Sequence, residues 1–422
     1  MHNGRGLVHD LLNSVSDALP LHLGKDVPMP PTGSNLVQIT PCQSTKATLP
    51  VFVSDQWNGS SSIKSAYITQ HGASNDPDQY FSYIYPFVGK DSLVIAPGFY
   101  TTHSPKAPDG FYQPKVNLAW AHTGDQWPAG RDAISPRTLL RSSKRSASNR
   151  NEARETGPEC SSYEAYEALL ARLDNKDLYP NLSKVYLVGH SGGANMISRY
   201  SQLNNYNGHL DLRYIVINAA NQAYFSDARP WKEFDEKNCK EAFQYPYQWT
   251  KSGSNMPRWV SARFDSLVSG ARSTNAKAKK LFDSWSAKDV MFLTGNADIE
   301  TTGTQRCTSK AQGGPYRRDR NYAYWAYTNL LAGSNDSPYP IKDYFGYGNL
   351  TDSGAKRFST GSAPTFNHQS CIVNGVAHDE PGILRSACGQ AALFSDNLPD
   401  GTNPQDSPSG LSSMFDGFLN TP

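Results

Sequence analysis

No apolar run in the chain approaches the roughly 18 residues that a membrane-crossing helix needs, and the mean hydropathy is −0.58. A membrane span is therefore not expected. Charge is sparse as well. Lys, Arg, Asp and Glu make up 18% of 422 residues, and 40 basic against 38 acidic side chains leave a net charge of +2. So small an excess argues against a nucleic-acid partner bound through a positive field, and so low a charged fraction argues against a disordered chain. There is no C-x-x-C pair, so neither a zinc ribbon nor a dithiol redox site is expected. No internal repeat is visible. Met1 to Ala18 carries no apolar core of the kind a secretory signal uses. Aromatic residues, by contrast, reach 11%, with 23 Tyr and 8 Trp, which points to a well-packed globular chain.

The six cysteines (Cys42, Cys160, Cys239, Cys307, Cys371 and Cys388) are even in number and scattered. Cys371 and Cys388 are the natural local pair, and closing that loop would contribute about 3 kcal/mol in the chain-entropy model. N-x-[ST] triplets stand at Asn58, Asn181, Asn335 and Asn349. Even cysteines and four such sites favour a secreted, disulfide-bonded glycoprotein, of which this chain would be a mature form. A cytosolic protein with buried free thiols is the plainer alternative.

Residues 1–62 read as an irregular N-terminal segment with the first strands, including Val51-Phe52-Val53. Short apolar runs then recur at Ser65–Thr69, Ser92–Ala96, Lys184–Val188, Tyr214–Asn218, Val290–Thr294 and Cys371–Asn374. Continuous apolar runs of this length suit parallel strands buried on both faces. Between them Tyr163, Tyr166, Leu169, Leu170 and Leu173 repeat at helical spacing, with Ser161 or Ser162 as cap. Gly193–Leu203 and the stretch around Tyr322, Trp325, Leu330 and Leu331 are further helices. Strands alternating with helices give an α/β fold on a mostly parallel sheet. The core is expected to span 63–220 and 288–395, with 221–287 inserted as a cap and 396–422 as a tail. Arg131 to Arg154, with Lys144-Arg145, reads as a solvated, protease-sensitive loop.

The chemistry centres on Gly189-His190-Ser191-Gly192-Gly193, a G-x-S-x-G sequence. Chance alone supplies roughly 0.2 such pentapeptides in a chain of this composition, so context decides. A strand pattern precedes it and a helix pattern follows, as a nucleophile elbow requires. A nucleophilic serine needs a base, and the base an orienting carboxylate. In chain order Ser, acid, His, the candidates are Ser191, Asp298 in the turn after Val290–Thr294, and His378 after the last apolar run. Glu300 is the alternative acid and His368 the alternative base. Asp379 adjoins His378 but would diverge from it, and His190 is expected to pack or hydrogen-bond. Oxyanion donors are expected at the backbone N–H groups of Gly192 and Ala73, the latter in the loop Gln70-His71-Gly72-Ala73-Ser74-Asn75. His71, Gly72, Gly189 and Gly193 would support that geometry.

On His71-Gly72, the elbow at Ser191, the Gly295–Asp298 turn and Val376–His378, the chain resembles the α/β-hydrolase superfamily across most of residues 63–390. Asn218–Tyr224, the Asn238-Cys239 region and Thr304–Tyr322 resemble parts of secreted hydrolases. The resemblance implies an α/β-hydrolase fold with helices on both faces of the sheet and a Ser191–Asp298–His378 triad. It further implies hydrolysis of a carboxylic ester, small or polymeric, with no cofactor or metal. The same triad supports a serine peptidase or an acyltransferase, and a non-catalytic binding protein is the alternative from another class. Trp231, Tyr245, Tyr247, Trp249 and Trp259 line an acyl cleft or, more simply, pack in a core.

Overall fold

A strand buried on one face alternates apolar with polar residues, whereas one buried on both is apolar throughout. The computed structural model describes residues 30–102, 111–122, 124–139, 155–249, 255–301, 303–333, 358 and 365–399, and among them the second pattern dominates. Eight strands form one sheet: β1 (Ser34–Ile39), β2 (Leu49–Ser54), β3 (Ser65–Gln70), β4 (Ser92–Pro97), β5 (Lys184–His190), β6 (Asp211–Ile217), β7 (Asp289–Gly295) and β8 (Gln369–Val373). Their order is β1-β2-β4-β3-β5-β6-β7-β8. Strand β2 runs antiparallel to both neighbours, and all other pairings are parallel. Every apolar run singled out in the sequence is one of these strands. Sequons Asn335 and Asn349, residues 140–154 and residues 400–422 lie outside the described residues.

Successive side chains on each strand feed two separate cores. Ile68, Leu187, Val216 and Phe292 enter one; Tyr67, Val188, Ile217 and Leu293 enter the other. On the first face lie α2 (Ser162–Leu173), α3 (Gly192–Leu203), α4 (Arg258–Leu267), α5 (Thr274–Ser286) and α7 (Arg317–Ala332), the last preceded by the short α6 (Cys307–Lys310). The second face is covered by α1 (Pro77–Ile84), α8 (Glu380–Arg385) and α9 (Ala387–Phe394). Helix α2 starts where the sequence indicates: the Ser161 side chain accepts from the Tyr163 N–H at 3.1 Å, and Glu164 accepts from the Ser161 N–H at 2.8 Å. This reciprocal capping satisfies donors that a helix start otherwise leaves open.

Within the stretch 221–287, Trp249, Phe264, Phe282 and Trp285 are buried in the first core, and α5 packs against α3. Of the aromatics with two readings, Tyr245 and Trp249 belong to that core, Trp259 packs on it, and Tyr247 faces a cavity. Disulfides join Cys42 to Cys160, Cys239 to Cys307 and Cys371 to Cys388. No described helix is long and apolar enough to cross a membrane.

Candidate active site

Strand β5 ends at His190 and α3 begins at Gly192, so Ser191 carries the whole turn. It does so at φ 57° and ψ −116°, a conformation that costs a non-glycine residue about 1–3 kcal/mol. The turn is held from the sheet side, where the Ser191 N–H donates to the Ile217 carbonyl at 3.0 Å. Ser191 occupies the N-cap position of α3, yet its side chain makes no capping hydrogen bond. A serine there ordinarily spends its hydroxyl on the helix; here the hydroxyl is left out of the cap. The glycine two residues on is steric in origin. A Cβ on Gly193 would stand 2.2 Å from the Gln70 carbonyl oxygen, because α3 starts directly against the end of β3.

That contact brings the loop after β3 beside the elbow. The imidazole of His71 is fully buried. Its Nε2 accepts from the Phe99 N–H at 2.9 Å, which leaves Nδ1–H to donate to the Gly72 carbonyl at 2.7 Å. Burial holds its pKa down to about 4, so the ring is neutral in ordinary buffers. A trans peptide is planar, with C=O and N–H pointing opposite ways. Fixing the Gly72 carbonyl towards His71 therefore aims the Ala73 N–H to the other side. The Ala73 nitrogen is 3.4 Å from where a Cβ on Gly192 would stand, and Ala73, Ser191 and Gly192 together line one cavity.

The other two candidates come from the next strands along. Asp298 follows β7, is completely buried, and accepts a 2.8 Å hydrogen bond from His378 Nδ1. Their two loops are joined by backbone as well. Ala297 N–H donates to the Val376 carbonyl at 3.0 Å, and Gly375 N–H to Asn296 Oδ1 at 2.7 Å. A Cβ on Gly295 would fall 2.2 Å from the Val376 oxygen, so this crossing needs glycine. Asn218, after β6, reaches across: its Oδ1 accepts from Gly295 N–H at 2.8 Å, and its Nδ2 donates to the Ala377 carbonyl at 3.1 Å. The His378 ring lies against that of His190, with centroids 4.4 Å apart. The Ser191 hydroxyl makes no hydrogen bond with His378 here; such bonds are commonly loose before substrate arrives.

Arg317, at the start of α7, was not singled out from sequence. Its Nε lies 3.0 and 3.2 Å from the two Asp298 oxygens and 3.1 Å from His378 Nδ1, and its Nη2 is 2.9 Å from Oδ1. Burial pushes the Asp298 pKa up, but the bonds and charges of His378 and Arg317 outweigh it, and the carboxyl sits below its ordinary value. The signal available in the sequence was weak: three arginines in Arg317–Arg320 ahead of the helical stretch around Tyr322 and Trp325.

The competing residues sit elsewhere. Glu300 is exposed. The Asp379 side chain accepts from Gly382 N–H at 3.1 Å and caps α8. His190 Nδ1 pairs with the Tyr80 hydroxyl at 3.0 Å. His368 precedes β8, at the opposite end of the sheet, where burial lowers its pKa to about 3 and its Nε2 lies 3.1 Å from the Trp285 carbonyl oxygen.

The candidate residues thus follow the carboxyl ends of β3, β5, β7 and β8, where sites of open α/β sheets form. No protein-family model and no curated protein matches the sequence. Among solved structures, the chain is similar to LpqC, a poly(3-hydroxybutyrate) depolymerase from Bordetella parapertussis, at 15% identity. The match covers 87% of this chain and 91% of that one with a TM-score of 0.50. This chain has the α/β-hydrolase fold. A poly(aspartic acid) hydrolase from Sphingomonas sp. KT-1 also matches, at 16% identity over 87% of this chain and all of that one, with a TM-score of 0.49.

On this α/β-hydrolase fold the cavity above Ser191 measures about 360 Å³. Trp127 and Tyr247 supply its aromatic surface, and Asp125, Gln126, Asn195 and Arg306 its polar surface. Asp125 is paired with the buried Arg199 at 3.2 Å. The Cys239–Cys307 disulfide links the segment carrying Tyr247 to the one carrying Thr304–Arg306, so two parts of the wall are covalently tied.

Proposed function

We propose that the protein is a serine hydrolase that cleaves a carboxylic ester through Ser191, His378 and Asp298. The observation that carries this reading is the Asp298–His378 hydrogen bond of 2.8 Å, lying against the elbow strand that presents Ser191. Ser191 Oγ attacks the ester carbonyl while His378 Nε2 takes its proton. Asp298 holds the Nδ1–H tautomer and stabilises the imidazolium. The N–H groups of Ala73 and Gly192 receive the oxyanion. Collapse of the tetrahedral intermediate expels the alcohol, which collects the proton from His378. Water, activated by the same imidazole, then releases the acid from the acyl-enzyme.

The wall mixes apolar surface with Asp125 and Arg306, which would lose hydration against hydrocarbon, and this favours a short ester with polar groups, free or as part of a polymer, over a long alkyl chain. Three disulfides and exposed sequon residues Asn58 and Asn181 support an extracellular glycoprotein. The test is a fluorophosphonate probe and a p-nitrophenyl ester series applied to the parent and to Ser191→Ala. Stoichiometric labelling and turnover by the parent alone are expected, with the rate falling as the acyl chain lengthens. A folded parent that neither labels nor turns over would refute the assignment.

A further inference from the structure

A triad of serine, imidazole and carboxylate gives the whole carboxylate charge to the imidazolium. Here a third group intervenes. Arg317 is 5% exposed and Asp298 is fully buried, so water does not screen their contact. The guanidinium takes Oδ1 through Nε and Nη2 and also approaches Oδ2, the oxygen that His378 uses. Backbone fixes this arrangement: Arg318 N–H donates to the Asp298 carbonyl at 3.1 Å, and Arg318 Nη1 to the Asn296 carbonyl at 3.2 Å. The first turn of α7 is therefore bonded directly to the acid loop.

Two donors, Arg317 Nε–H and His378 Nδ1–H, converge on one oxygen, at 3.2 and 2.8 Å. The shorter bond belongs to the imidazole, which keeps Nδ1 protonated and Nε2 open as the base. Among the described residues no nearer carboxylate competes for the imidazole: Asp379, beside His378, is exposed and turned to its own helix, so Asp298 is the carboxylate that the ring and Arg317 meet together.

We propose that Arg317 is a positioning residue of this site that divides Asp298 between itself and His378. It fixes the carboxylate in the orientation that keeps His378 Nδ1 protonated and Nε2 open as the base. The inference rests on the serine-hydrolase reading above.

The experiment measures kcat and KM separately on a soluble short-chain ester for the parent, Arg317→Gln and Arg317→Lys, with fluorophosphonate labelling and urea unfolding alongside. Arg317→Gln removes the charge and the two-pronged contact with Asp298. Its kcat is expected to fall roughly tenfold or more as the carboxylate loosens, with KM near the parent's. Arg317→Lys keeps a charged donor without the fork, so its kcat should lie between the two. A folded Arg317→Gln with the parent's kcat, or with its loss carried by KM alone, overturns the inference. Should that variant not fold, Arg317→Lys decides: the parent's full kcat in that folded variant overturns it equally. A parent that neither labels nor turns over defeats the underlying reading and this inference together.

Discussion

Replacing His71 by leucine keeps the volume and removes both hydrogen bonds of a fully buried ring. The Phe99 N–H loses its acceptor outright, while the Gly72 carbonyl keeps only a long bond from Asn75 N–H at 3.4 Å. With about 1–3 kcal/mol for each orphaned buried group, the variant should lose about 2–4 kcal/mol near neutral pH. The rate should fall further than stability alone implies. Freed from His71, the Gly72–Ala73 peptide can rotate and take the proposed oxyanion donor with it, for an expected loss of about 10²–10³ in kcat with little change in KM. Acid supplies an internal control. The folded-state value of about 4 lies below the ordinary 6.5, so the parent holds this contribution in full above 6.5 and loses it as the pH falls through 4. The difference corresponds to about 3 kcal/mol. Leucine has nothing to protonate, so the stability gap between parent and variant should close by that amount on acidification. Urea unfolding at neutral pH and near pH 4, with ester kinetics on the folded variant, measures both effects. An unchanged kcat would refute the orienting role, and a gap independent of pH would refute the buried neutral imidazole.

Gly193→Ala should cost about 3 kcal/mol or more, because its methyl would meet the Gln70 and His71 carbonyl oxygens at 2.2 and 2.7 Å; a parent-like urea midpoint would contradict the close approach of α3 to β3. Asn218→Ala loses two hydrogen bonds and places alanine at φ 49°. Destabilisation of about 2–4 kcal/mol is expected, with kcat falling at least tenfold as the residue before His378 drifts. Parent-like kcat in the folded variant would show that Ala377 is held by other contacts.

The sheet was legible because its strands are buried on both faces, which converts Val290–Thr294 or Lys184–Val188 into unbroken apolar runs bounded by turn residues. Strand β1 was harder to see. Ser34–Ile39 lies at the sheet edge with only Leu36 buried, so its pattern resembles loop sequence. Helix α5 was missed for the same reason. Its lysines at 277, 279 and 280 dilute the buried Leu281, Phe282 and Trp285. For the site, residue order along the chain and placement after strands sufficed to nominate Ser191, Asp298 and His378. Arg317 escaped because its partner lies 19 residues away across a loop, and no local spacing encodes that meeting. The same holds for Asn218, whose role depends on two loops more than 70 residues downstream.

The Cys239–Cys307 bond gives the cavity wall a dependence on its surroundings that the candidate residues Ser191 and Asp298 do not share. Ser191 and Asp298 follow β5 and β7, which carry no cysteine, and the His378 loop, although β8 carries Cys371, is hydrogen-bonded to the Asp298 loop. Tyr247 and the Thr304–Arg306 segment are tied to each other through sulfur. Reduction of Cys239–Cys307 would thus loosen the cavity wall directly, whereas Ser191 and Asp298 would keep their places at the strand ends. Under the proposed serine-hydrolase function, selectivity among larger esters would then depend on an oxidising environment more than reactivity does.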